Sequence, residues 1–291
     1  MTASTIHRYN IKRLELRSSK LVSGNLLGRY RSAFRGSGME YADLREYNPG
    51  DDVKHIHWKA TARSTSAFVK SYREERQLRV LLAVDTSASM RLPAQGRSWA
   101  LAVEFCSLIG ALTLRSNDLL GLMTFSDRIE SCTPTRSGPK AYSQALATLL
   151  ASAETPRGGT DLSGVLTHLS DSVRKSTVVF IVSDFATQYP REALRKAASR
   201  HDIILVQMQP PPPPDKPLGI ISLIDPETGK VCKIDTSSKR TRTAWIESIN
   251  DHRQELALIA AQEGAAHIAI DNDILQPLQG LMNLRSKRIA R

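Results

Sequence analysis

Residues 79–90, RVLLAVDTSASM, restrict the fold more than any other stretch of this 291-residue chain. Leu81, Leu82, Ala83 and Val84 run without a polar break, as in a strand covered on both faces, and the run stops at Asp85. Ser87 and Ser89 follow at alternate positions. In a doubly wound sheet, ligands bind beyond the carboxyl ends of the strands, where the chain turns toward its next helix. A D-x-S-x-S turn at such an end gathers hard oxygen donors. These suit Mg²⁺, an ion that keeps several waters and rarely takes a complete protein cage. The rest of such a shell has to come from elsewhere in the chain.

Downstream, apolar runs and amphipathic stretches alternate. Strands are expected over 67–72, 79–84, 119–125, 129–135, 178–184, 203–208 and 267–271. Helices are expected over 97–114, 139–153, 162–174, 191–199, 244–263 and 274–284. Five prolines at 210–214 form a stiff polyproline II connection, and 220–225 and 230–235 flank Pro226-Glu227-Thr228-Gly229 as a hairpin. This alternation predicts an α/β protein with a doubly wound, mainly parallel sheet and helices on both faces. A smaller N-terminal segment, 1–78, precedes the main domain, 79–272, which includes the hairpin 220–235; a last helix and basic tail occupy 273–291.

Residues 99–114 are too short for a membrane span and carry Glu104, so they read as a core helix. The start, MTASTIHRYNIKR, lacks the apolar run of a secretory signal. Cys106, Cys132 and Cys232 are isolated thiols without CxxC spacing, as expected of a reduced cytoplasmic protein. The net charge is +11, and residues 1–78 hold 15 Lys and Arg against 8 Asp and Glu. A basic face favours acidic partners. Nucleic acid is not the expected one, because the basic residues are scattered and no aromatic–basic platform recurs. Ile11, Leu14, Leu21, Leu26 and Leu27 fit one or two amphipathic helices. A basic amphipathic start leaves room for peripheral membrane contact, although no bulky aromatic anchors its apolar face.

Residues 35–63 are dense in unusual residues. Asn48-Pro49-Gly50 makes a turn, and Asp51 or Asp52 is expected to cap a short helix with Val53, Ile56 and Ala60 on one face. Gly36-Ser37-Gly38 lacks the third glycine of a dinucleotide fingerprint. His55 and His57 have no third ligand at a zinc-like spacing, which points to a local hydrogen-bonding role beside Trp58.

Two further stretches complete the oxygen set. Arg157-Gly158-Gly159-Thr160-Asp161 is a glycine-rich loop that leads into a helix, and the strand VVFIVS ends at Asp184. Carboxyl ends of parallel strands share one edge, so Asp85 and Asp184 can converge across the sequence. D-T-S-A-S, G-G-T-D and a strand-terminal S-D, in this order, resemble the metal-ion-dependent adhesion site of the von Willebrand factor A (vWA) domain. By that resemblance, Ser87, Ser89 and Thr160 approach the metal directly, and Asp85 and Asp184 do so directly or through water. The resemblance implies Mg²⁺ as the metal, with Mn²⁺ as the alternative, and an acidic residue of a partner in the open position.

Upstream, G-x-G-x-E-Y, R-x-Y-x-x-G-D-D, I-H-W and T-A-R resemble the hallmark of a bacterial family of unknown function whose members often occur beside MoxR-type AAA+ ATPases. Arg45, Asp51, Asp52, His57, Trp58 and Arg63 are the partner-binding candidates this resemblance supplies. The chain departs from the pattern at His57, where an acidic residue usually precedes the tryptophan. The expected function is thus a non-catalytic adaptor working with such an ATPase. A metal-assisted phosphohydrolase built on Asp85 is the competing reading, and a nucleic-acid binder using the basic N-terminal segment is a third. Against an enzyme, the sequence holds no Walker A, H-E-x-x-H or G-x-S-x-G motif, and no histidine stands beside the oxygen donors as a base. His168 and His201 fall on elements expected to be solvated.

Overall fold

A computed structural model describes residues 3–34, 40–48, 51–52, 56–63, 66–73, 77–91, 96–152, 158–214, 216–224 and 230–289. The apolar run of β3 (Arg79–Asp85) lies at the centre of a six-stranded sheet, parallel to β4 (Leu119–Phe125) on one side and β6 (Val178–Ser183) on the other. β7 (Asp202–Met208) and β10 (Ala266–Ile270) continue in parallel beyond β6, and β5 (Ile129–Cys132) closes the opposite edge antiparallel to β4. The order is β10-β7-β6-β3-β4-β5. This is the doubly wound, mainly parallel α/β architecture the alternation predicts.

Strand residues alternate between two apolar layers. Val80, Leu82, Val84, Phe180 and Val182 face α1 (Ala3–Leu21), α2 (Gly24–Phe34), α4 (Gly96–Arg115), α5 (Pro139–Ser152) and α9 (Leu275–Ile289). Leu81, Ala83, Val179 and Ile181 face α6 (Leu162–Ser172), α7 (Arg191–Ala198) and α8 (Lys239–Gln262). Helix 97–115 is long and apolar enough to cross a membrane, but 72 % of its most apolar stretch is buried inside the fold.

The two N-terminal helices are part of the first layer. Val22, Leu26, Tyr30 and Ala33 are buried in it. Arg17 reaches Glu104 at 3.0 Å, and the Ser18 and Ser107 hydroxyls meet at 2.5 Å. Tyr142 joins them, its hydroxyl 3.0 Å from both Ser107 Oγ and the Ser107 carbonyl oxygen. Phe180 presents its ring edge to Phe105 and Phe34, with centroids 5.7 and 5.8 Å away. The last helix clasps the second: Arg29 donates to Asn283 Oδ1 at 3.1 Å, and the Arg285 guanidinium sits over the Phe34 ring while also pairing with Asp202.

The smaller elements differ more from expectation. β1 (Glu40–Glu46) pairs antiparallel with β2 (Phe68–Arg73), and a register break at Tyr41/Asp43 removes the two-residue period by which such a strand is recognised. The short helix α3 spans only Trp58–Thr61. Neither Asp51 nor Asp52 caps it. His57 does, its Nδ1 accepting the Ala60 amide at 3.0 Å, while Asp51 Oδ2 accepts the Asn48 amide at 2.9 Å and closes the preceding turn. The expected cluster Val53, Ile56 and Ala60 begins at a residue outside those described. α8 starts at Lys239, ahead of the expected 244, because Ser238 Oγ accepts the Thr241 amide. β5 ends at Cys132, short of the expected 135. His201 is buried, not solvated, with Nε2 2.9 Å from the Leu169 carbonyl oxygen. The three cysteines are free, with Cys106 buried and the other two exposed.

Candidate functional site

Asp85 is the last residue of β3, and the parallel ladder sets Val84 against Val182, which brings Ser183 level with Asp85. Ser183 Oγ donates to Asp85 Oδ2 at 2.6 Å and accepts the Phe185 amide at 3.0 Å. Asp85 Oδ1 accepts the Ser87 amide at 2.8 Å. The hydroxyls of Ser87 and Ser89 lie 3.0 Å apart. Thr160, 75 positions downstream, donates its hydroxyl to Asp85 Oδ2 at 3.2 Å. Four of the five oxygen donors read from the sequence therefore meet at the sheet rim. Asp184 joins them electrostatically: burial first, and its charge second, push the Asp85 carboxyl from 3.8 up to about 7. Its own Oδ1 accepts the Ala186 amide at 3.1 Å.

Asp85 and Ser87 are fully buried, whereas Thr160 and Asp184 are half-buried. Among the described residues, no Lys or Arg forms an ion pair with either carboxylate. Nor does any group of three His, Cys, Asp or Glu suit a metal ion among the described residues. The donor set here is of another kind, two carboxylates with neighbouring hydroxyls, and its chemistry fits a hard, oxygen-seeking dication.

The loop carrying Thr160 is tied down at Asp161. The Asp161 amide donates to the Ser126 carbonyl at 2.6 Å, and the Asp161 side chain caps α6 at the Gly164 amide, 2.9 Å away. Gly159 adopts φ +78°, a conformation L side chains rarely take, which accounts for the glycine. Thr86 fixes the other loop, its amide and hydroxyl both donating to the Phe125 carbonyl.

The sequence did not single out Ser183 as a functional residue, although it was visible as the S of S-D. It missed His252 altogether, which arrives from α8. His252 Nε2 lies 3.3 Å from the Asp184 carbonyl oxygen, and Nδ1 lies 3.0 Å from the Tyr189 hydroxyl, with the two rings stacked. A histidine thus does stand beside the donors, but its ring nitrogens are both turned to protein oxygens. Phe185, directly after Asp184, is held at φ +55° with its ring fully buried. A wide groove lined by Phe185, Tyr189, Trp245, Ile249 and His252 opens beside it.

The upstream candidates form a separate local arrangement. Arg45 lies on β1 opposite Val69, and its side chain is outside those described. Asp51 and His57 make the local bonds given above, Asp52 and Arg63 are exposed, and Trp58 is 66 % exposed.

One rim residue predicts a pH effect. His267 Nε2 donates to Gln207 Oε1 at 3.1 Å, and Gln207 lies opposite Ser183 in the ladder. Burial, with Arg253 and His252 adding, holds His267 down at about 4 against an ordinary 6.5. Between these values the unfolded chain takes up a proton that the folded chain refuses, so stability is lost as pH falls from 6.5 toward 4. His267→Gln is expected to be less acid-labile than wild type in urea titrations across this window. An unchanged slope would show that the histidine is not held neutral.

The model of the family described as "Protein of unknown function DUF58" matches residues 43–255. Uncharacterized proteins of Mycobacterium tuberculosis and Mycobacterium bovis are each 27 % identical to the chain over 267 residues, covering 90 % of it and 84 % of their own length. Among solved structures, a von Willebrand factor type A protein from Catenulispora acidiphila aligns with TM-score 0.43 and 12 % identity, over 74 % of this chain and 43 % of its own. The pilus adhesin SpaC from Lactobacillus rhamnosus GG aligns with TM-score 0.40 and 16 % identity, over 75 % and 30 %. The chain spans less than half the length of either structure.

Proposed function

The chain belongs to the DUF58 family, proteins of unknown function, and from that premise we propose that it is a non-catalytic protein-interaction module whose grip on a partner depends on a divalent cation. The observation that carries this reading is the collection of Ser183, Thr160 and the Ser87 amide around one buried carboxylate, beside a second carboxylate. Such a cluster concentrates negative charge that no described Lys or Arg neutralises, and a bound Mg²⁺ relieves it. Asp85, Ser87, Ser89, Thr160 and Asp184 would hold the ion, with Mn²⁺ as the alternative. The ion supplies a Lewis-acidic position for an oxygen ligand, which we assign to an acidic residue of a partner protein. Ser183 and the tied Thr160 loop keep the donors in place, and His252 buttresses the Asp184 backbone.

The family resemblance points to a MoxR-type AAA+ ATPase as that partner. The ATPase would be the motor, and this chain the adaptor in assembly or maturation of a complex in the cytoplasm. A role without catalysis is favoured because both nitrogens of the nearby histidine are engaged by protein oxygens. Calorimetric titration with MgCl₂ should give one site per chain in wild type. Pull-down of the ATPase should succeed with Mg²⁺ and fail with EDTA or Asp85→Ala. Equal recovery with and without EDTA would remove the cation from the interaction.

A further inference from the structure

We propose that the hairpin formed by β8 (Ile220–Ile224) and β9 (Val231–Asp235) joins two copies of this chain, edge to edge along β8. The hairpin is a two-stranded sheet that pairs with no other described strand. Two strands of this length are marginal alone in water and gain most from a third and fourth. Leu218, Ile220, Ile224 and Val231 are 57–71 % exposed, so apolar surface is concentrated on this projection.

The two edges differ in charge. β9 carries Lys233 and Asp235, the kind of residue that blunts an exposed strand, whereas β8 reads Ile-Ile-Ser-Leu-Ile with no charge at all. A β9-to-β9 pairing centred on Lys233 would set two lysines against each other. A β8-to-β8 pairing sets no charges together.

The register also favours a second copy. Thr236 donates its amide to the Gly219 carbonyl, so Gly219–Thr236 is a hydrogen-bonded pair. Alternation then makes Ile221–Ile234 and Leu223–Cys232 the bonded pairs within the hairpin, and turns the amides and carbonyls of Ile220, Ser222 and Ile224 outward. Antiparallel pairing about a twofold axis at Ser222 places Ser222 opposite Ser222 and Ile220 opposite Ile224 of the second copy. Those are the outward-facing backbone groups. The strand is its own complement, as a closed twofold contact requires. One face of the resulting four-stranded sheet would carry Val231, Ile224 and the second copy's Ile220 in a row. The four exposed side chains offer on the order of 400 Å² of apolar surface per copy, about 800 Å² in all, which is below a stable interface and in the range of weak, transient ones. The association is therefore concentration-dependent, and it involves neither the rim carboxylates nor a metal.

Sedimentation equilibrium of the full chain should show the mass rising from monomer toward twice that value with concentration. Ile220→Lys with Ile224→Lys opposes like charges across the axis and should weaken the dimer at least about tenfold, with unchanged circular dichroism. Ser222→Cys puts two thiols on the axis at a Cα separation of about 5.5 Å, within disulfide reach, and should cross-link on mild oxidation. Wild type should not cross-link through Cys232, since the two would lie about 16 Å apart, three strand spacings across and two residues along. A wild type monomeric at every concentration would overturn the proposal, including the case in which the edge takes a strand of another protein. So would a dimer that ignores the lysine pair and shows no cross-link in the Ser222→Cys variant.

Discussion

Asp85→Asn is expected to abolish Mg²⁺ binding and, in the absence of any metal, to make the protein more stable at pH 8. The carboxyl is fully buried and pushed up to about 7 by desolvation and by Asp184, against 3.8 in an unfolded chain. Between those values the folded state holds a proton that the unfolded state releases. Stability therefore falls as pH rises through that window and is lowest above it. That difference corresponds to roughly 4 kcal/mol. Asparagine keeps the shape and an acceptor oxygen for Ser183 and Thr160 and carries no charge to desolvate; its amide nitrogen then faces the Ser87 amide that Asp85 Oδ1 accepts, which takes back part of the gain. With EDTA present, the melting temperature of the variant relative to wild type should be several degrees higher at pH 8 than at pH 5.5, a comparison in which the opposing effect of His267 is common to both proteins and cancels. Saturating Mg²⁺ should raise the wild-type midpoint at pH 8 and leave the variant where it was, because only a state that binds the ion is stabilised by it. A variant that still titrates with Mg²⁺, or is no more stable than wild type at pH 8 without metal, would contradict the assignment of this carboxylate.

Phe180→Ala should rank among the most damaging core substitutions, lowering unfolding free energy by about 3–5 kcal/mol. The ring is fully buried on β6 and meets Phe105 of α4 and Phe34 of α2 edge-on. Its neighbours are a central strand and two helices already held in the same layer, so the void has little freedom to collapse. Urea denaturation would measure the loss, and α1 and α2 should become more susceptible to proteolysis because Phe34 loses its aromatic contact with the sheet. A loss below about 1.5 kcal/mol would mean that the layer repacks around the missing ring.

The central sheet was legible because its strands are buried on both faces. Leu81–Val84 and Val178–Val182 read as unbroken apolar runs, and the parallel architecture follows from their alternation with helices. The site was legible for the same reason, since Asp85 and Asp184 interrupt those runs where ligands bind in such sheets. The N-terminal region was harder. β1 has a register break that erases its period, and His57 caps α3 through a ring nitrogen, outside the usual Ser, Thr, Asp and Asn preference. His252 had no local signal at all. It reaches Asp184 across 68 positions, and only the packing of α8 against the sheet brings them together.

The clasp between α2 and α9 links Arg29 to Asn283, 254 positions apart. Tyr30 and Phe34 emerge from the ribosome long before α9, which packs against their helix, so their full burial waits until α9 has been made. A nascent chain of this protein would carry an uncovered aromatic face until then. Its dependence on chaperones should therefore persist until α9 docks and fall abruptly when it does.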